Sequence, residues 1–472
     1  MKNLLTVLLF AFINLIHLNA QKHHELKFNI SNYENDTLLL AYFYGEKQLV
    51  KDTIFALKKG IFEYKSDSIL DPGVYIGLLY PSKEYFQFLI DDSEFKFTIN
   101  VDYKDLQNIS SKASKDNKLF FEYLGYISEK NKLAKALNEE KSKITDQKGD
   151  TGEVDKKLDD LDKEVNAFQM KLINENPKTL TAMLIKANRD VQLPEFAGTS
   201  EEVNLKKFNF YKTHYFDNID FQNPATLFSP FIHNKIESFM ENLTAPIPDS
   251  INLTIDYILR KMPVNSEIWK YYVAHFLNKY AKSQYVGMDG VYVHIVKNYY
   301  AKGLTPWVEQ DKLIKIIDNA VRMENVLIGK TAPDLKLYRE DKTPVKISEI
   351  IADFTVLVFW KPDCGHCKTT MHSIVEFQDK YRDKGIKVVS VCTKMGNKIS
   401  ECWSMAKELK MENLFLNLGD ENNSSNFHSE YNIQTTPAIF VLDKNKKILI
   451  KQIPGEKLGE IMDNFLKSDK NE

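Results

Sequence analysis

Two cysteines separated by two residues carry the clearest chemistry in this sequence. They are Cys364 and Cys367, in the segment TVLVFWKPDCGHCKTTMHS, which opens with an apolar run. Such a pair can be a redox dithiol, half of a zinc site or, when histidine follows directly, a haem attachment site. All four cysteines of the 472-residue chain lie between positions 364 and 402, whereas structural disulfides would be scattered along it. We therefore interpret the pair as reactive.

The neighbouring residues argue against most rival interpretations of this pair. Lys368 stands where haem attachment requires histidine. A zinc site would need two further ligands, and Cys392 and Cys402 do not form a second Cys-x-x-Cys motif. A peroxidase of the peroxiredoxin kind would have threonine three residues and proline seven residues before its reactive cysteine, where this chain has Lys361 and Leu357. A structural disulfide without catalysis stays open as an alternative.

The local pattern predicts different roles for the two cysteines. FTVLVFW predicts a buried strand and CKTTMHSIVEFQDKYRDKG a helix, so Cys364 should lie at a helix N-terminus, where unpaired N–H groups and the helix dipole stabilise an anion. The pKa of its thiol should fall to between about 3.5 and 7.5. Cys367, one turn later, should be shielded and should resolve the mixed disulfide. His366 can place positive charge near Cys364 and favour the reduced form. The residues expected to tune the pair are Trp360, Pro362, Gly365 and His366.

The rest of the chain divides into segments with different patterns. Residues 1–20 combine a lysine, an apolar stretch and a small residue at a cleavage point, which predicts a signal peptide and export. Short alternating runs predict an antiparallel β-sandwich over 21–105. Apolar residues at helical spacing amid dense charge predict a helical hairpin over 106–176, and an aromatic-rich, proline-punctuated segment predicts a helical accessory domain over 177–326. Alternating strands and helices predict an α/β domain over 327–472.

Composition limits the class of partner. The formal net charge is −2, from 63 basic and 65 acidic residues, which gives no electrostatic case for nucleic acid. After the first 20 positions no run of 18 apolar residues occurs, so we expect no membrane span in the mature chain; an uncleaved anchor is the alternative for the N-terminal segment. The histidines of the helical region lack metal-ligand spacing. We expect neither a metal nor a cofactor.

Three motifs in order, GKTAPDLKL, FWKPDCGHCK and TTPAIFVLD, mark a known family. With them, residues 328–470 resemble a thioredoxin-fold domain of the secreted bacterial TlpA/ResA type. The resemblance implies a cis peptide bond between Thr436 and Pro437, which would face the cysteines and pair with a substrate strand. It also implies disulfide exchange with cysteine-containing proteins. The upstream segments resemble the accessory regions of multi-domain secreted bacterial thioredoxins.

Two positions depart from the relatives. Val358 stands where many thioredoxins have a buried acid, and Thr370 where ResA-like proteins have glutamate, so water or Lys361 would have to take the proton of Cys367. Cys392, at the end of a buried strand, would most often be an inert core thiol; a disulfide between it and Cys402 is left open.

The sequence as a whole predicts a periplasmic or otherwise extracytoplasmic thiol–disulfide oxidoreductase, a reductase or an isomerase. It would act on protein cysteines and exchange electrons with a membrane or periplasmic partner. The alternative is a non-catalytic, chaperone-like envelope protein with a vestigial Cys-x-x-Cys pair. An oxidase shares the same parts and differs in potential.

Overall fold

The computed structural model describes residues 23–468, and the predicted signal peptide over 1–20 lies outside them. Two compact units divide the chain, Met1–Glu237 and Ser238–Glu472. The helical region predicted over 177–326 is therefore shared between the two units. The chain is multi-domain, with an N-terminal sandwich, helices in the middle and a C-terminal α/β domain, which confirms the predicted fold class.

Two four-stranded sheets form the sandwich of the first unit, in the orders β4-β1-β7-β8 and β3-β2-β5-β6. Strands β1 and β7 are parallel, and the other pairs are antiparallel. Alternate side chains of β1, such as Phe28, enter the core, as the period of a half-buried strand requires. The strands are β1 (Glu25–Ser31), β2 (Thr37–Tyr44), β3 (Lys47–Phe55), β4 (Ile61–Lys65), β5 (Gly73–Tyr80), β6 (Glu84–Ile90), β7 (Lys96–Asp102) and β8 (Asp105–Lys112).

The last strand of the sandwich, β8, lies beyond the predicted boundary at residue 105. It pairs with β7 from Asp105 to Lys112 and so belongs to the sheet rather than to the helical hairpin. Only Ser111 of its side chains is buried, so the strand carries no alternating apolar signal. The predicted boundary was wrong here because backbone pairing, not side-chain burial, forms this strand.

Four helices follow the sandwich in the first unit, and the first two are long and charged. Asp116, buried near the start of the first helix, accepts hydrogen bonds from the backbone N–H groups of Leu180 at 2.6 Å and Thr181 at 2.9 Å. This carboxylate therefore fixes the first helix to the third. The helices are α1 (Lys115–Asp146), α2 (Gly152–Glu175), α3 (Leu180–Asn188) and α4 (Ser200–His214).

The second unit starts with helices and ends with the α/β domain. A buried ion pair between Lys451 of the α/β domain and Asp289 of the helices joins the two parts within this unit. The helices are α5 (Ile232–Asn242), which spans the division between the units, α6 (Pro248–Lys261), α7 (Glu267–Ala281), α8 (Asp289–Ile295) and α9 (Gln310–Glu324). Between residues 23 and 468, no helix is both long enough and apolar enough to cross a bilayer.

A seven-stranded mixed sheet, in the order β10-β9-β13-β12-β11-β14-β15, is the centre of the α/β domain. Its strands are β9 (Lys336–Tyr338), β10 (Pro344–Lys346), β11 (Phe354–Trp360), β12 (Ile386–Cys392), β13 (Leu416–Gly419), β14 (Ala438–Leu442) and β15 (Ile448–Lys451). Its helices are α10 (Gly365–Tyr381), α11 (Ser400–Glu408), α12 (Phe427–Glu430) and α13 (Leu458–Ser468).

All seven residues of β11 are buried, because this central strand is covered on both faces. Val358 and Trp360 pack into one core, together with residues of α10, and Leu357 and Phe359 pack into the other. Strand β11 is parallel to β12 and antiparallel to β14. This rigid strand ends four residues before Cys364 and so positions the start of α10.

Candidate active site

The start of α10 brings the two cysteines together. Cys364 is the N-cap residue of the helix, and its sulfur accepts a hydrogen bond from the backbone N–H of Cys367 at 3.3 Å. Both cysteines are free thiols. Cys364 is half-buried, whereas Cys367 is 0% exposed and belongs to the core beneath the helix. One sulfur is therefore open to a partner, and the other is reached only through it.

The surroundings of Cys364 favour its thiolate. Burial acts to raise the pKa of this thiol, but hydrogen bonds with the side chain and backbone of Cys367 and with the side chain of Thr436, together with the positive charge of Lys361, outweigh it. The pKa of Cys364 therefore lies below its ordinary value of 9.0. The position at a helix N-terminus works in the same direction, because the backbone N–H of Cys367 in the first turn points at the sulfur and the helix dipole favours an anion there.

Cys367 is held in the opposite state. Burial, and then its hydrogen bond with Cys364, raise the pKa of this thiol to about 11. At neutral pH it keeps its proton, so the pair contains one thiol that ionises readily and one that stays protonated.

The predicted loop lies against the cysteines. The Cys364 thiol donates a hydrogen bond to the backbone carbonyl of Thr436 at 3.3 Å, and the Thr436–Pro437 peptide bond is cis, as predicted. Thr436 also acts on the pKa of both thiols. Residues 72 positions apart are thus brought into one site, with the strand β14 beginning directly after Pro437.

The other residues expected to tune the pair occupy different environments. Trp360 is 1% exposed and shares the core with Cys367, and Pro362 is buried. Gly365 opens α10, and a Cβ atom added to it would meet no atom within 4 Å. His366 is exposed. The cation among the main influences on Cys364 is Lys361, and the tuning role expected of His366 stays a prediction.

Sequence reasoning left open one feature next to this site and missed another. Cys392 and Cys402 form a disulfide, so Cys392 is not the inert core thiol that its strand position suggested. Lys394 forms an ion pair with Asp363, the residue before Cys364, with 2.6 Å between Nζ and Oδ2. A cysteine at a strand end and another in the first turn of the following helix were the available signal for the disulfide; nothing in the sequence marks Lys394.

Two family models match the chain. Residues 327–465 match Redoxin, and residues 134–325 match a domain of unknown function, DUF5106. The thiol–disulfide oxidoreductase ResA of Bacillus thuringiensis subsp. konkukian is 24% identical over 144 residues, which cover 30% of this chain and 79% of that protein. The chain is a thioredoxin-like thiol–disulfide oxidoreductase. Its C-terminal domain is of the TlpA/ResA type, as the three motifs predicted.

Solved structures similar to this oxidoreductase include one from Cytophaga hutchinsonii and one from Bacteroides caccae. A domain of a possible thiol-disulfide isomerase from Cytophaga hutchinsonii is 32% identical and covers 31% of this chain and 97% of its own, with a TM-score of 0.29. A thioredoxin-like protein from Bacteroides caccae is 16% identical and covers 59% of this chain and 97% of its own, with a TM-score of 0.44.

Proposed function

We propose that this oxidoreductase works outside the cytoplasm and exchanges disulfides with the cysteines of other proteins through Cys364 and Cys367. The observation that carries the proposal is the inequality of the two thiols. The pKa of the accessible Cys364 is lowered, and that of the buried Cys367 is raised to about 11. A dithiol that attacks with one sulfur and resolves with the other needs this difference.

The exchange reaction balances with these two groups alone. The Cys364 thiolate attacks one sulfur of a protein disulfide, the substrate S–S bond breaks, and the departing substrate sulfur takes up a proton. Cys367 then loses its proton and attacks the sulfur of Cys364, which releases the second substrate thiolate and leaves a Cys364–Cys367 disulfide. The two electrons pass from the enzyme dithiol to the substrate, and a dithiol partner of the membrane or periplasm would return them.

The structure suggests how Cys367 becomes reactive without a neighbouring carboxylate at Val358 or Thr370. Two of the influences that raise its pKa are the hydrogen bond and the charge of Cys364. Both disappear when Cys364 is bonded in the mixed disulfide. The pKa of Cys367 should then fall, so that water or another weak acceptor suffices to take its proton.

Substrate binding is assigned to the loop of Thr436 and Pro437. The carbonyl of Thr436 lies within hydrogen-bond distance of the attacking sulfur, and Lys361 lies close enough to lower the pKa of Cys364. A substrate strand alongside this loop would find backbone groups to pair with and would present its disulfide to Cys364.

Reduction of insulin by dithiothreitol tests the proposal, because its catalysis requires exchange with a protein disulfide. We expect the wild-type chain to accelerate precipitation of the insulin B chain and Cys364→Ser to abolish the acceleration. Ser404→Ala, an exposed change in α11, serves as the folding control and should behave like wild type. Acceleration that survives in Cys364→Ser would refute the assignment.

Two further measurements address direction and location. A glutathione titration gives the reduction potential: a value near thioredoxin's, about −270 mV, indicates a reductase, and one near about −180 mV an isomerase. Export predicts that the chain recovered from the periplasm lacks residues 1–20, which N-terminal sequencing determines. Recovery of the uncut chain from the cytoplasm alone would contradict export.

A further inference from the structure

Lys394 occupies an unusual position for a lysine close to a surface. Its Nζ lies 2.6 Å from Oδ2 of Asp363 and 3.7 Å from Oε2 of Glu401, and only 16% of its side chain is exposed. Asp363 directly precedes Cys364, and Glu401 directly precedes Cys402. The ammonium group therefore lies between Asp363, next to the attacking cysteine, and Glu401, next to a cysteine of the Cys392–Cys402 disulfide.

The backbone around Lys394 is fixed by the disulfide and by the sheet. Cys392, the last residue of β12, is bonded to Cys402 in the first turn of α11, and each is 1% exposed. The backbone N–H of Lys394 donates to the sulfur of Cys392 at 3.3 Å. Thr393 donates its own N–H to the carbonyl of Trp360 at 2.9 Å. The disulfide thus holds together the strand end that carries Lys394 and the helix that carries Glu401.

We propose that Lys394 is a positioning residue for the attacking thiol, and that the Cys392–Cys402 disulfide holds it in place against Asp363. This inference rests on the proposed function, because it explains how the nucleophile of that reaction is kept reactive. The disulfide acts here as a support for an ion pair and takes no part in the exchange itself.

The ionisation of the Cys364 thiol depends on the charges around its sulfur. A carboxylate on the neighbouring residue opposes ionisation of Cys364, and a cation paired with that carboxylate cancels its effect. The side chains that face this region are Lys361 and Asp363 before α10, Cys367 within it, Lys394 and Glu401 beside it, and Thr436 from the loop, whereas His366 is exposed. Removal of Lys394 leaves two carboxylates against one fixed cation, Lys361.

A thiolate titration tests the position of Lys394 without requiring catalysis. In a Cys367→Ala background, Cys364 is the one remaining free thiol of the four cysteines, and its ionisation is followed by ultraviolet absorbance against pH. We expect Lys394→Gln to raise the pKa of Cys364 by about half a unit, a threefold loss of thiolate below that pKa. Lys394→Arg keeps the charge and should leave the pKa of Cys364 close to the wild-type value. An unchanged titration in Lys394→Gln would overturn the proposal.

Asp363→Asn provides the second arm of the same measurement. Alone it should lower the pKa of Cys364, and combined with Lys394→Gln it should return the pKa close to the wild-type value, because both charges are then gone. If the double variant instead shows the full increase of Lys394→Gln alone, Lys394 acts on Cys364 by another route and the ion pair has no part in it.

The role of the disulfide is tested by Cys392→Ser combined with Cys402→Ser in the same background. We expect the pKa of Cys364 to rise, and Lys394→Gln to add no further shift once the support is gone. A full additional shift on adding Lys394→Gln would show that Lys394 holds its position without the disulfide and would overturn that part.

Near-ultraviolet circular dichroism establishes that each variant is folded. Insulin reduction by the variants that keep Cys367 tests the proposed function separately. Failure of the ion-pair proposal and failure of the proposed function are therefore distinguishable.

Discussion

The difference between the two thiols predicts a measurable difference in alkylation. At pH 7 a thiol with the pKa of Cys367, about 11, is ionised in about one molecule in ten thousand. Cys364, with a pKa below 9.0, is ionised in more than about one molecule in a hundred. Ionisation alone therefore favours alkylation of Cys364 by more than about a hundredfold.

Part of this advantage is lost because a thiolate of higher pKa is the better nucleophile. With a Brønsted coefficient of about 0.45, a difference of two pKa units makes the thiolate of Cys367 about eightfold more reactive than that of Cys364. More than about tenfold remains in favour of Cys364. Burial of Cys367, which is 0% exposed, adds to this difference. We therefore expect iodoacetamide to modify Cys364 at least about ten times faster than Cys367 in the folded, reduced protein.

The assay is a timed reaction with iodoacetamide, quenched with acid and resolved by peptide mass spectrometry. Cys364→Ser and Cys367→Ser each leave one thiol of the pair and give its rate separately. The same reaction in concentrated urea is the control, because unfolding should make the two rates similar. Equal rates in the folded protein, or faster modification of Cys367, would refute the assignment of attacking and resolving thiols.

Three further predictions concern the charges and contacts described above. Reduction of the Cys364–Cys367 disulfide takes up two protons below the pKa of Cys364 and one proton between that pKa and about 11. The slope of the reduction potential against pH should therefore change at the pKa of Cys364 from about −59 to about −30 mV per pH unit. Glutathione titrations at several pH values measure this slope. Lys361→Gln should raise the pKa of Cys364 by a few tenths of a unit, more than His366→Gln does, in a thiolate titration. Asp116→Ala should destabilise the first unit by about 2–4 kcal/mol in urea unfolding, since two buried N–H groups of α3 lose their acceptor.

Each of these predictions has an outcome that contradicts it. A single slope across the whole pH range would mean that the thiols do not ionise separately. A larger effect from His366→Gln would return the role of the cation to the histidine. An Asp116→Ala chain as stable as wild type would mean that water replaces the carboxylate; Asp116→Asn, which keeps an acceptor oxygen, is the matched control and should lose less stability.

The α/β domain could be predicted from the sequence because its signals are local. A run of seven residues, six of them apolar, predicted β11, and all seven are buried. The helix after Cys364 follows from regular spacing, although it ends at Tyr381 and the chain then turns through Gly385 at a φ of 68°. The different exposure of the two cysteines follows from one turn of that helix.

The features that were missed or left open depend on tertiary contacts. Strand β8 has a mostly exposed, polar sequence, and only its pairing with β7 makes it a strand. The Cys392–Cys402 disulfide joins a strand end to a helix across ten positions, a spacing with no motif. Lys394 acts near Cys364 only because β12 ends beside β11. His366, adjacent in sequence, is exposed. Contacts between residues far apart in the sequence leave no local pattern from which to predict them.

Capture of the exchange intermediate with Cys367→Ala shows directly whether Cys364 attacks and Cys367 resolves. This variant keeps the attacking thiol and removes the resolving one, so protein partners should stay bound through Cys364 and appear as new high-mass bands on non-reducing gels. Peptide mass spectrometry of those bands should place the mixed disulfide at Cys364. Equal bands from a Cys364→Ala variant, or cross-links mapped to Cys392 or Cys402, would contradict the account.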